Sequence, residues 1–334
     1  MKQYIQLIKI VFIIGTVYGV NKTGTTAAKF LSIEVGSNAV GMGGAFTSIA
    51  NDATAMYWNP AGLSFHDTKE VYFNHANWIA DISFDYFGIT FPMNNKSVLG
   101  FNITSVTMDE MEVTRYGNEN TGETFRAADY AIGSTYALDL TDRFSVGFNG
   151  KYIQQSIANS HAKGFAVDFG TLFITPFGFT LGTSISNFGP KLRMSGDDLL
   201  IGADVDENIE GNNESVTGVL STDYFDLPLV LRIGISDEFQ IGARSKLVAS
   251  LDAISPNDNA NYINTGLKLH LLDGLISLYA GANSLFLENA ESEFSFGGGI
   301  TIPQILNNSL SIHFTHEQMK FLGNSQQISI SFNY

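Results

Sequence analysis

From residue 68 onward, apolar and polar residues alternate with a period of two, the signature of strands with two unlike faces. The clearest run is Leu227-Pro-Leu-Val-Leu-Arg-Ile-Gly-Ile235. Leu227, Leu229, Leu231, Ile233 and Ile235 share one face; Pro228, Val230, Arg232 and Gly234 share the other. Phe165, Val167, Phe169 and Phe173 oppose Ala166, Asp168 and Gly170 in the same way. Phe179, Leu181 and Ile185 oppose Thr180, Gly182, Ser184 and Ser186. A single strand of this kind fits a soluble sandwich as well as a membrane barrel. Number and length decide between them. Segments 69–77, 80–91, 97–106, 125–138, 143–156, 163–175, 177–187, 227–236, 240–253, 261–271, 274–283, 292–302, 309–317 and 325–334 make fourteen candidates of 9 to 14 residues. Crossing a bilayer at a tilt takes roughly 9–11 residues, whereas soluble strands run about 5–6. The expected fold is all-β, a transmembrane antiparallel β-barrel of about 14 strands. Segment 80–91 loses phase between Tyr86 and Phe87, which predicts a bulge there.

Loop lengths provide an independent check. With the first strand running outward, the even strands are followed by 92–96, 139–142, 176, 237–239, 272–273 and 303–308, all short. The long connections 107–124 and 188–226 follow odd strands. Short periplasmic turns and longer outer loops are the pattern of bacterial barrels. The 188–226 connection carries Asp197, Asp198, Asp204, Asp206, Glu207, Glu210, Glu214, Asp223 and Asp226 against Lys191 and Arg193. It is expected to be a solvated, acidic outer loop. Arg232 is expected to face the lumen, and Trp78 to join an interfacial aromatic girdle. Ile328, Ile330, Phe332 and Tyr334 share the outer face of the last strand. That ending resembles the C-terminal signal by which outer-membrane barrels reach their assembly machinery.

Composition narrows the function classes. The 334 residues are 44% hydrophobic but only 15% charged, against about 25% charged in soluble domains. Mean hydropathy is only +0.07. Beyond residue 20 no apolar run reaches the roughly 18–20 residues of a membrane helix. A polytopic helical membrane protein is excluded. The net charge of −15 repels a phosphate backbone and speaks against nucleic-acid binding. With no Cys, thiolate nucleophiles, disulfides and Cys-based metal sites are excluded. At the N-terminus, Lys2 and Lys9 flank a short apolar stretch over 10–17, and Val17-Tyr-Gly19 suits a cut before Val20. Residues 1–19 thus read as a signal peptide. Export and barrel composition together place the chain in the outer membrane of a diderm bacterium.

Residues 36–63 carry a family resemblance. The matching pieces are Gly41-Met-Gly43-Gly44, Asn51-Asp52-Ala53 and Tyr57-Trp58-Asn59-Pro60-Ala61-Gly62-Leu63. They resemble the N-terminal signature of the PorV/PorQ family, within the larger FadL-type superfamily. That resemblance implies a fourteen-stranded barrel with an N-terminal hatch in its lumen. The domains expected are a signal peptide over 1–19, a hatch over 20–67 and the barrel over 68–334. The residues suit a hatch. Asp52 is placed to cap a short helix through Met56, and Asn59 precedes Pro60 at a first helical position. A dinucleotide loop at Gly41-x-Gly43-Gly44 would need a surrounding βαβ unit, which the strand pattern denies.

Other candidate chemistry is weak. Asp204-Val-Asp-Glu-Asn208 looks like a calcium loop, but Ile209 stands where glycine is required and Ser215 where the bidentate glutamate belongs. His313 and His316 have no identifiable nucleophile, so no enzyme activity, cofactor or metal is expected. The resemblance leaves two function classes. The first, which is favoured, is a type IX secretion accessory that binds exported proteins or the translocon. The second is FadL-like passage of hydrophobic small molecules. Outer-membrane lipid is the partner common to both. A sealed lumen with adhesive outer loops would favour the first, and an apolar lumen pocket the second.

Overall fold

The structure is a computed structural model that describes residues 23–118, 120–203, 216–305 and 308–334. The expected signal peptide and the acidic residues Asp204, Asp206, Glu207, Glu210 and Glu214 lie outside these described residues. Fourteen strands form the wall: β1 Glu70–Asn77, β2 Ser83–Asn94, β3 Ser97–Thr107, β4 Ala127–Thr141, β5 Phe144–Ile157, β6 Ser160–Ile174 and β7 Thr180–Phe188, followed by β8 Val230–Gly242, β9 Ser245–Pro256, β10 Tyr262–Leu271, β11 Ile276–Leu285, β12 Ser292–Ile305, β13 Asn308–Met319 and β14 Asn324–Asn333. Each strand pairs antiparallel with its sequence neighbours, and β1 pairs with β14, Phe73 standing opposite Ile330. The ring is closed. Closure pairs every edge, which lipid demands because it offers no hydrogen bonds to an exposed backbone. Each of the fourteen segments expected from alternation overlaps one of these strands, with ends displaced by up to about six residues.

The faces separate as the period of two requires. Phe73, Phe101, Ile132, Phe148, Phe165, Ile233, Leu267, Ile300 and Phe314 are exposed on the outside. Asn74, Thr135, Asn149, Asp168, Ser184, Asp252 and Ser329 are buried inside. This is an apolar band turned to lipid around a polar lumen. The outer membrane is its location.

Three expectations need correction. No bulge occurs at Tyr86 and Phe87: β2 pairs with β3 without interruption from Ser83 to Pro92, and the register shifts only between Pro92 and Asn94. Phe84 and Tyr86 point inward, so aromatics on both faces hide an unbroken alternation. Trp78 packs against the lumen cluster instead of a lipid interface. Leu227 precedes β8 and is buried with Ala28, Phe30 and Leu192 at the outer mouth.

The lumen is filled by the chain before β1. Four short helical turns, Lys29–Ser32, Ser37–Gly41, Ala55–Trp58 and Pro60–Phe65, are strung through it. At the long-loop end, Ala28 N–H donates to Gln155 Oε1 (2.8 Å). Midway, Ser37 N–H donates to Ser329 Oγ (2.9 Å) and Thr47 N–H to Asp252 Oδ2 (2.8 Å). At the short-turn end, Ala53 N–H donates to Glu70 Oε2 (2.7 Å). Wall glycines make room for this segment. A Cβ on Gly147 would run into the Pro60 backbone, and one on Gly170 into Asn59 Oδ1.

Candidate functional site

The signature residues become the seat of the lumen segment. Gly43 and Gly44 take left-handed conformations with φ of 63° and 70°, which favour glycine. A Cβ on Gly43 would press on the Ala282 backbone, and one on Gly41 on Tyr279. Asn51 is exposed, and its carbonyl accepts from the His66 ring (3.1 Å). Asp52 accepts from Thr54 N–H and from Asn38 Nδ2, both at 2.8 Å, and so ties two turns together. Trp58 is wholly buried, donates from Nε1 to Val35 O (2.8 Å) and meets Phe46 and Tyr57 edge-on. Asn59 Oδ1 caps the turn that begins at Pro60, accepting from Ala61 N–H (3.2 Å). Its Nδ2 donates to Thr47 O (2.8 Å) and to Thr171 O of β6 (3.0 Å). Ala61 is buried beside Gly62, where a Cβ would strike Ala50 O. Two apolar clusters hold the segment against the wall. Met42, Phe46, Met56, Trp58, Leu63, Tyr72 and Phe84 fill the middle. Phe30 and Leu31 meet Ile153, Leu192 and Leu227 at the long-loop end.

That end also holds a group of charged residues, of which alternation singles out Arg232 alone. Arg232 lies inside, as expected, and only 6% exposed. Its guanidinium stacks 5.4 Å from the rings of Tyr57 and Trp58 and donates to Ser186 Oγ (3.0 Å). Asp258, on the connection after β9, accepts from Lys29 Nζ (2.6 Å) and Thr26 Oγ1 (2.9 Å) through one oxygen. Glu34 accepts from Asn283 Nδ2 (3.0 Å). Burial first, then Glu317 beside it, push the Glu34 carboxyl up to about 8, against the pull of Arg232. Asp252 and Glu317 sit inward on β9 and β13. Charged residues at inward phase between apolar neighbours, such as Asp252 between Leu251 and Ala253, are the signal that could have found them.

The acidic loop is not simply solvated. Its described stems fold back over the mouth, with Leu192 buried and Leu192 N–H donating to Phe225 O (2.8 Å). Asp198 accepts from Asn159 N–H (2.7 Å) and Nδ2 (3.0 Å); these bonds hold its carboxyl below the usual range. Asp197 N–H donates to Asn159 O (3.3 Å). Ala27 N–H donates to Asp226 O (2.9 Å), so the lumen segment begins against this loop. At the other terminus, Ile328, Ile330, Phe332 and Tyr334 are all exposed on the outer face. Phe332 and Tyr334 stack at 5.9 Å.

The family profile described as "Type IX secretion system protein PorV" matches residues 19–205. The chain belongs to the PorV family. No curated protein matches its sequence. Among solved structures, this PorV-family barrel is similar to a Pseudomonas aeruginosa FadL homologue at 14% identity and TM-score 0.53, covering 90% of this chain and 98% of that one. It is similar to the Pseudomonas putida toluene transporter TodX at 12% identity and TM-score 0.55, covering 90% and 97%. The Ralstonia pickettii toluene transporter TbuX matches at 11% identity and TM-score 0.54, again covering 90% and 97%. At such identities the likeness concerns the fold alone.

Proposed function

We propose that this PorV-family barrel serves type IX secretion as a closed accessory that binds exported proteins or the translocon at its long-loop end. The observation that supports the reading is the filled lumen, packed from Phe30 at one mouth to Leu63 near the other. The surface for a partner is a two-stranded ribbon, Leu200–Ala203 paired with Val216–Val219. It shows Leu200, Ile201, Val216 and Val219 to solvent. A lone ribbon with free edges is a ready template for another chain. Removing residues 200–219 while sparing Leu192 and Asp226 should reduce co-purification of translocon or exported proteins, with heat-modifiable gel mobility unchanged. Undiminished co-purification and surface display would refute the reading.

A second reading, passage of hydrophobic small molecules, draws on the apolar character of the plug around Met42, Phe46 and Met56. In that case replacing Asn59 and Pro60, which seat the plug on β6, should alter hydrocarbon uptake more than loss of the ribbon alters secretion.

A further inference from the structure

At the long-loop mouth a cavity of about 70 Å³ lies between the lumen segment and the wall. Ser32, Glu34 and Trp58 line it from the segment, and Arg232, Asp258 and Tyr262 from the wall. Two kinds of unfinished bonding meet there. Ser32 Oγ, Glu34 Oε2 and Asp258 Oδ1 are shielded from solvent and accept no hydrogen bond. The Asp258 side chain is only 2% exposed, and Lys29 and Thr26 both engage its other oxygen. Arg232 is the converse case. Among the described residues its guanidinium donates one side-chain hydrogen bond, to Ser186, and no carboxylate lies within ion-pair distance of it.

Buried polar atoms without partners cost free energy, and a buried charge without one costs more. We infer that the cavity is a binding site for a small zwitterion of the α-amino-acid type, its carboxylate on Arg232 and its ammonium on Asp258 Oδ1, Ser32 Oγ and Glu34 Oε2. Size agrees. At about 10–15 Å³ for each enclosed water, a cavity of about 70 Å³ takes roughly five to seven, room enough for a molecule as small as glycine. Charge agrees as well. Lys29, Arg232, Asp258 and Glu34 all line the cavity; once Glu34 is ionised their charges sum to zero, so a ligand of zero net charge keeps the balance, whereas a lone ion would add an unpaired charge. An arriving ammonium favours that ionised form, because it takes the place of the proton that Glu34 otherwise keeps. Such a ligand would bridge the lumen segment to the wall and hold the mouth shut, stabilising the closed state by mass action.

The chain has two tryptophans, so Trp78→Phe leaves Trp58, on the cavity lining, as sole fluorescent reporter. In detergent, titration of that protein with glycine should give a saturable change in emission. Glycinamide, which lacks the carboxylate, and acetate, which lacks the ammonium, should each bind at least about tenfold more weakly, the scale of one lost hydrogen bond to a buried charge. Asp258→Asn and Arg232→Gln, each verified as folded by heat-modifiable mobility, should weaken glycine by a similar factor. No saturable response to glycine would overturn the site, leaving only enclosed water. Equal binding of acetate or of glycinamide would reduce it to a simple anion or cation site and overturn the zwitterion. Because the comparison of three small molecules is made on one protein with an unaltered cavity lining, itself verified as folded by heat-modifiable mobility, a misfolded lining substitution cannot obscure the result. Secretion plays no part in the measurement, so this proposal and the functional reading fail separately.

Discussion

Glu34 shows how much a single side chain can owe to its surroundings. It stands outside the membrane-spanning strands, with one oxygen on Asn283 and the other sealed in the mouth. Burial keeps its proton to about 8, against an ordinary value of 4.5. The folded state therefore binds a proton that the unfolded chain has already released. Stability from this group is full below about 4.5 and is lost as pH rises through 8. Glu34→Gln, which does not titrate, should remove that part of the decline. Melting temperatures in detergent at acid and alkaline pH check it: the variant should gain on the parent as pH rises. Identical slopes for both proteins would show that Glu34 ionises normally.

Among elements, the lumen segment and the wall are complementary at backbone level. Gly147 of β5 and Gly170 of β6 face Asn59 and Pro60 so closely that a Cβ at either would overlap them. Gly150, also on β5, has nothing within 4 Å of a built Cβ. Gly170→Val should unseat the turn at Pro60 and expose the segment to protease, while Gly150→Ala should leave digestion unchanged. Equal protection of both variants would mean that the segment does not depend on this seat. The same element scale explains why the acidic loop misled. Its sequence is dominated by charge, yet Leu192 and Leu227 at its two ends are buried with Phe30, so the loop is anchored where it meets the barrel.

For the whole molecule, the consequence is a barrel whose seal belongs to its own N-terminal chain. The wall's inner face carries Asn74, Asn102, Thr135, Ser184 and Ser329, groups that water would solvate if the segment left. The intact protein should be silent in planar bilayers, and a protein lacking residues 24–65 should conduct ions. Conductance by the intact chain would contradict the seal, and silence in both would show that something besides this segment closes the pore. The lumen segment and the long acidic loop meet at one mouth of the barrel. Ala27 and Asp226 are hydrogen-bonded neighbours, so damage to one reaches the other unless the loop is trimmed beyond its stem.

The wall was legible in the amino-acid sequence because lipid imposes one rule at every strand: apolar out, small or polar in, for the width of the bilayer. Fourteen segments and the inward side of Arg232 follow from that local rule. The rule fails where the inner face also meets an apolar surface. Phe84 and Tyr86 point inward because the lumen is filled with protein, which produced a false bulge. Trp78 turns in for the same reason. The signature around Asn59 pointed to a hatch only through family resemblance, since nothing local in it says which strands receive it. Glu34 lies about two hundred residues from Arg232 and Asp258 along the chain, and it meets them only when the ring closes around the threaded segment. Their shared cavity is a property of that closure, and no pattern along the chain contains it.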